Sequence, residues 1–229
     1  MRSGAAAFDI KKIAGVKIMK TILFQGDSIT DSSWARDNAS YNMGHGYAAM
    51  AAGLLGSAYP GEYKFVNRGV SGNRIVDVYA RIKADIINLK PDVMSIFIGV
   101  NDVGHEIEFG DGVDSQKFGM LYDLLISEVK SALPDIKIMI LTPFILWGKI
   151  TESSFDIFKT EVKLRESEAL KIAEKYGLPV INTQKIFDEA MKRYNDSSYW
   201  SLDGVHPMAP GHMLIAKAWA ECFEKNFRM

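Results

Sequence analysis

The sequence predicts an α/β domain: a three-layer αβα sandwich built on a five-stranded parallel sheet. Three observations lead there. Short apolar runs alternate with longer segments whose apolar residues recur at helical spacing. The short runs are continuously apolar, as strands buried on both faces require. Polar, glycine-bearing segments follow directly on most of the strands, and that sheet edge is where such folds place ligands.

The elements follow in order. A strand over 21–24 opens onto Gly26 and Asp27, and the small apolar residues of 47–55 read as a buried helix. Tyr63–Asn67 is a second strand. Residues 75–89 carry Ile75, Val78, Ile82, Ile86 and Leu89 at helical spacing and read as one helix, ended by Pro91. A third strand covers 93–98, a helix covers 116–133, and Lys137–Leu141 is the fourth strand, closed by Thr142 and Pro143. Phe155–Tyr176 is a long amphipathic helix stopped by Gly177. The last strand falls at 178–182, followed by helices over 183–193 and 211–227. Segments 109–113 and 147–154 read as loops.

A chain of 229 residues suits one domain, here 20–229, preceded by an N-terminal extension over 1–19. With 48% hydrophobic residues it has ample material for a core. Its 27 Lys and Arg balance 28 Asp and Glu, which provides no field for a nucleic acid or an anionic membrane. No apolar run approaches the roughly 18 residues of a membrane span. The first twenty residues lack the apolar stretch of a secretory signal, so a cytoplasmic protein is expected. The single cysteine, Cys222, precludes an intrachain disulfide, sits in a helical pattern and is expected to be buried.

Four polar blocks carry the chemistry. Ser28 lies in Gly26-Asp27-Ser28-Ile29-Thr30, directly after the first strand. Alone, such a serine reads equally well as a helix cap. Asn67-Arg68-Gly69-Val70-Ser71-Gly72-Asn73 follows the second strand, and its glycines admit close approach of a ligand to the backbone. Gly99-Val100-Asn101-Asp102 follows the third, with a side-chain amide donor at Asn101. Asp203-Gly204-Val205-His206-Pro207 precedes the final helix, and its three-residue spacing lets the carboxylate turn back onto the imidazole. Acyl transfer to serine needs a hydroxyl, a base, a carboxylate to orient the base, and preplaced donors for the oxyanion. Each appears once.

Together the blocks resemble the SGNH hydrolase superfamily, the GDSL esterases and lipases, over nearly the whole chain from Thr21. The resemblance implies a flavodoxin-like SGNH hydrolase fold, Ser28 as nucleophile, His206 as base and Asp203 as its orienting acid. It also implies an oxyanion hole made of the Ser28 and Gly72 amides and the Asn101 side chain. Gly-x-Ser-x-Gly, the nucleophile elbow of α/β-hydrolases, does not occur. Gly44-His45-Gly46-Tyr47, Leu141-Thr142-Pro143-Phe144 and Gly211-His212-Met213 extend the likeness toward bacterial intracellular acetylxylan esterases. That narrower resemblance implies an acetylated oligosaccharide as substrate and a homo-oligomer. Neither a cofactor nor a metal is expected.

Asp27, Asn73 and Trp200 are candidate substrate contacts, although Asn73 also reads as a helix cap. Trp34, Trp147 and Trp200 suit stacking on a sugar or plain loop packing. Asp102 and His105 have the residue types of a metal pair but lack further ligands at zinc-like spacing. Two rival functions remain at this stage: a short-chain lipid esterase, thioesterase or lysophospholipase, and a non-catalytic sugar-binding protein of the same fold.

Overall fold

In a computed structural model, residues 19–35 and 42–228 are described. Apart from Met19, the expected extension lies outside them. The five strands are all parallel, in the order β2-β1-β3-β4-β5. They are β1 (Lys20–Gly26), β2 (Tyr63–Asn67), β3 (Val93–Phe97), β4 (Lys137–Leu141) and β5 (Val180–Ile181). The helices are α1 (Ser28–Asp31), α2 (Tyr47–Ala58), α3 (Ile75–Ala80), α4 (Ile82–Asp85), α5 (Val100–Phe109), α6 (Ser115–Ala132), α7 (Phe155–Tyr176), α8 (Thr183–Arg193), α9 (Ser197–Trp200) and α10 (Ala209–Asn226).

Alternation along the strands divides the core in two. Ile22, Phe24, Val93, Phe97, Met139 and Leu141 face α2, α8 and α10, where Trp219 lies over Phe24 with centroids 4.8 Å apart. Leu23, Met94, Ile96, Ile138 and Ile140 face α3, α4 and α6. Both faces are therefore covered, which is why the strands read as unbroken apolar runs.

Two expectations need correction. Residues 75–89 do not form one helix: α3 and α4 are separated at Arg81 (φ −105°, ψ 15°), and a short 3₁₀ turn ends the segment. Arg81 turns its guanidinium toward the sheet edge. Its Nη2 donates to Gln25 Oε1 (2.7 Å) and Gly26 O (3.2 Å), its Nη1 to Arg68 O (2.8 Å), and its Nε to Asn73 Oδ1 (2.8 Å). These bonds tie the end of β1 to the loop after β2. The second correction is α5, which runs straight through the polar block after β3 to Phe109. Its only buried residues are Val100, Asp102 and Val103, so no apolar stripe announced it.

The N-terminus of α2 is closed from a distance. Gly46 has no side chain to cap it, and His212 of α10 accepts a bond from the Tyr47 amide at Nδ1 (3.1 Å). Accepting requires an unprotonated nitrogen. Burial, reinforced by the His45 and His206 charges, pushes the His212 ring down to about 4. A folded-state value below the unfolded one stabilises the fold at pH above about 6.5, and that stability is lost as pH falls through about 4. The gap corresponds to about 3 kcal/mol. Asparagine offers an amide oxygen near the Nδ1 position and does not titrate. His212→Asn is therefore expected to lose about 2–3 kcal/mol less stability between pH 7 and pH 4 than the wild type, measured by urea unfolding at both pH values.

Candidate active site

The first strand delivers Ser28. Gly26 ends β1 so close to its neighbours that a Cβ there would lie 2.4 Å from both Phe97 O and Thr30 Oγ1, so a side chain is excluded. Asp27 then caps α1, its Oδ1 accepting from the Ile29 amide (3.0 Å). Ser28 is the first residue of this single turn, with its amide at the uncompensated N-terminal end.

The block after β2 is clamped onto the same turn. Asn67 Nδ2 donates to Thr30 O (2.6 Å) and Met43 O (3.0 Å), while its Oδ1 accepts from the Gly69 amide (2.8 Å). Ser71 donates to Asp31 Oδ2 from its amide (3.0 Å), and the Val70 amide donates to Gly26 O (3.1 Å). Gly69 abuts α1 so tightly that a Cβ would lie 2.3 Å from the Asp31 nitrogen. Gly72 adopts φ +78°, a conformation that favours glycine. On α5, Asn101 Nδ2 donates one hydrogen to Asn73 O (3.1 Å), and among the described residues its second hydrogen has no acceptor. Among the described residues the Ser28 and Gly72 amides have no hydrogen-bond acceptor, so the strand ends present unsatisfied donors from three separate blocks.

The C-terminal block closes the arrangement. Asp203 Oδ1 accepts from the amides of Val205 (2.9 Å) and His206 (2.7 Å), which forms a tight turn. Its Oδ2 lies 2.7 Å from His206 Nδ1, and His206 Nε2 lies 2.7 Å from Ser28 Oγ. Because the carboxylate only accepts, the neutral ring carries its proton on Nδ1, and Nε2 accepts from the serine hydroxyl. Burial pushes the Asp203 carboxyl up. The bonds from the His206 ring and from the His206 and Val205 amides outweigh it and hold the group at about 2. The bond to Asp203 raises the His206 ring above its ordinary value, against the opposing effect of burial. The turn is backed by the segment after β4: Leu146 N donates to Gly204 O (2.8 Å) and Ile150 N to Asp203 O (2.9 Å). Gly148 packs so closely that a Cβ would lie 2.2 Å from the Gly204 nitrogen.

The structure thus brings together Ser28, Asp203 and His206, and sets Gly72 in the loop after β2 and Asn101 in the first turn of α5. The three candidate substrate contacts are all engaged within the fold. Asp27 is 1% exposed, and burial pushes its carboxyl up to about 7, so it shapes the turn from beneath. The Asn73 side chain is turned to Arg81. Trp200 is a core ring, 8% exposed, whose Nε1 donates to Tyr194 O (3.0 Å). Trp34 is buried, donating to Gly69 O (2.8 Å), whereas Trp147 is 54% exposed. Asp102 does not face His105: it is buried and accepts from the Ile75 amide (3.0 Å), while His105 Nδ1 lies 3.2 Å from Asp111 Oδ1. Cys222 is partly buried beside the first core. Two grooves, of about 700 and 1050 Å³, lie elsewhere, and none of the three bonded residues lines either. Among the described residues no helix is long and apolar enough to cross a membrane.

A hydroxyl bonded to an imidazole that is itself held by a carboxylate, with backbone and amide donors alongside, is equipped for acyl transfer. Residues 24–214 match the GDSL-like lipase/acylhydrolase family; the chain belongs to it and is a carboxylic ester hydrolase. It is 35% identical over 208 residues to the acetylxylan esterase of Geobacillus stearothermophilus, covering 86% of this chain and 91% of that one. The crystal structure of that esterase superposes with a TM-score of 0.81 at 32% identity, covering 93% of this chain and 97% of the other. A GDSL-like lipase structure from Parabacteroides merdae gives a TM-score of 0.85 at 33% identity, over 91% and 97% of the two chains. Two further structures of the Geobacillus esterase are catalytic mutants, with alanine in place of a serine in one and of an aspartate in the other.

Proposed function

We propose that the chain removes acetyl groups from carbohydrate, xylo-oligosaccharides in particular, through an acyl-serine intermediate. Ser28 Oγ attacks the acetyl carbonyl as His206 Nε2 takes its proton. The oxyanion is held by the Ser28 and Gly72 amides and the free N–H of Asn101. The C–O bond to the sugar breaks, and the departing alkoxide takes the proton from His206. Water then attacks the acyl-serine carbonyl, giving its proton to His206, which returns it to Ser28 Oγ as acetate leaves. Asp203 remains ionised and keeps the ring in the required tautomer. The observation that carries this reading is the 2.7 Å contact at each end of His206, from Ser28 Oγ and from Asp203 Oδ2. Support for the substrate comes from the likeness to an acetylxylan esterase. A cytoplasmic homo-oligomer belongs to the same reading.

The test is acetate release from acetylated xylo-oligosaccharides, alongside p-nitrophenyl esters of increasing acyl length. Turnover of the oligosaccharides and a preference for acetyl are expected. A preference for butyryl or longer chains would overturn the carbohydrate assignment in favour of a lipid or thioester substrate.

A further inference from the structure

One side chain at the edge of this site has no part in the scheme above. His105 follows Asn101 by four residues, so both project from the same face of α5. Its Nε2 lies 3.9 Å from the point that a Cβ on Gly72 would occupy, beside one of the proposed oxyanion residues. The ring is held from behind. Nδ1 is 3.2 Å from Asp111 Oδ1, and the imidazole stands edge-on to Phe109, with centroids 5.4 Å apart at 80°. Asp111 is itself anchored, its Oδ2 lying 3.2 Å from Arg74 Nη1, and Arg74 Nε donates to Asp77 Oδ2 (3.0 Å). The histidine side chain is 26% exposed, so it is neither solvated freely nor buried out of reach.

The direction of the hydrogen bond follows from this setting. A carboxylate only accepts, so the neutral ring places its proton on Nδ1 and leaves the lone pair on Nε2, the ring atom beside Gly72. The groups assigned to the carbonyl oxygen, the Ser28 and Gly72 amides and the Asn101 amide, are all donors. His105 adds an acceptor next to them. An acetyl group has no polar hydrogen to offer it, so a matching donor must come from the alcohol half of the ester. In a polyol ester that donor is the hydroxyl on the neighbouring carbon.

We propose that His105 is a specificity-determining residue, accepting a hydrogen bond from a hydroxyl vicinal to the esterified oxygen and so favouring acetates of sugars and polyols over acetates of simple alcohols. The proposal rests on the reading of Ser28, Gly72 and Asn101 as the reacting site.

The test is a ratio. For 2-hydroxyethyl acetate against 2-methoxyethyl acetate, the wild type is expected to show a kcat/KM ratio of roughly five- to tenfold in favour of the free hydroxyl. His105→Ala should bring that ratio close to one. His105→Gln, which supplies an amide oxygen, should restore part of it and serves if the alanine variant folds poorly. A wild-type ratio near one would overturn the proposal. So would a ratio that survives His105→Ala, since a merely structural histidine would slow both esters alike. Acetylated xyloside is assayed in parallel. If the wild type cleaves the glycol esters but not the xyloside, the substrate reading fails and the ratio still decides His105. If Ser28→Ala retains the activity, the active-site reading itself fails.

Discussion

Alanine at position 28 is expected to lower kcat for p-nitrophenyl acetate by about 10⁴- to 10⁶-fold, the range seen when a serine nucleophile is removed from an intact triad. The residual rate would come from the oxyanion donors and substrate binding, which Ser28→Ala leaves in place. Stability should change little, by within about 0.5 kcal/mol, as for substitutions away from packing and capping features. The reason is local: among the described residues the Ser28 hydroxyl bonds only His206, and α1 is capped by Asp27. The measurements are steady-state kinetics, thermal unfolding, and labelling by a fluorophosphonate, which should modify Ser28 in the wild type and nothing in the variant. Activity within tenfold of wild type would remove Ser28 from the mechanism.

Asp203→Asn is expected to cost about 10⁴ in kcat, by analogy with the same change in other triads. An amide at this position can still accept the Val205 and His206 backbone bonds through its oxygen, so the turn survives. Its nitrogen would then face His206 Nδ1 as a donor. The ring must move its proton to Nε2, where it can no longer take one from Ser28. The pH profile should change as well. In the wild type the Asp203 carboxylate raises His206 above its ordinary value, so the acid limb of kcat/KM, which needs the neutral ring, lies above about 6.5. Without the carboxylate this support is gone, and the residual activity should show its acid limb at lower pH. An unchanged acid limb would mean that Asp203 does not set the titration of the base. A linked effect falls on stability. A carboxyl held at about 2 stabilises the fold at pH above its unfolded value, near 3.8, and that contribution fades as pH drops toward 2. The variant lacks it at every pH.

The chemistry was legible where it is local. Asp203 and His206 are three residues apart, and one turn with Gly204 at φ +91° brings carboxylate and ring together, so the spacing made the pair a candidate that the other three blocks then favoured. The strands were legible because a sheet covered on both faces needs continuous apolar runs, as in β3 and β4. The misreadings share one cause, which is dependence on distant partners. Arg81 breaks the expected long helix because its bonds go to Gln25, Gly26 and Arg68. Trp200 and Asp27 have the residue types of a binding site but are buried, and burial is decided by what packs over a residue. His105 was weighed only as half of a metal pair with Asp102, because α5, with few apolar residues, was not recognised as a helix; its four-residue spacing from Asn101 would have been the signal.

By itself the sequence determined the class of fold, the family's four blocks and their order, and the residue types that acyl transfer needs. It could do so because hydrophobic periodicity and short-range turns are properties of neighbouring residues. Only the tertiary structure decided that Ser28 and His206, 178 positions apart, meet at 2.7 Å. It also decided that Asp27 faces inward and that His105 stands beside Gly72. Each of those outcomes depends on how parallel strands align their ends, and that alignment is fixed by the packing of both cores at once.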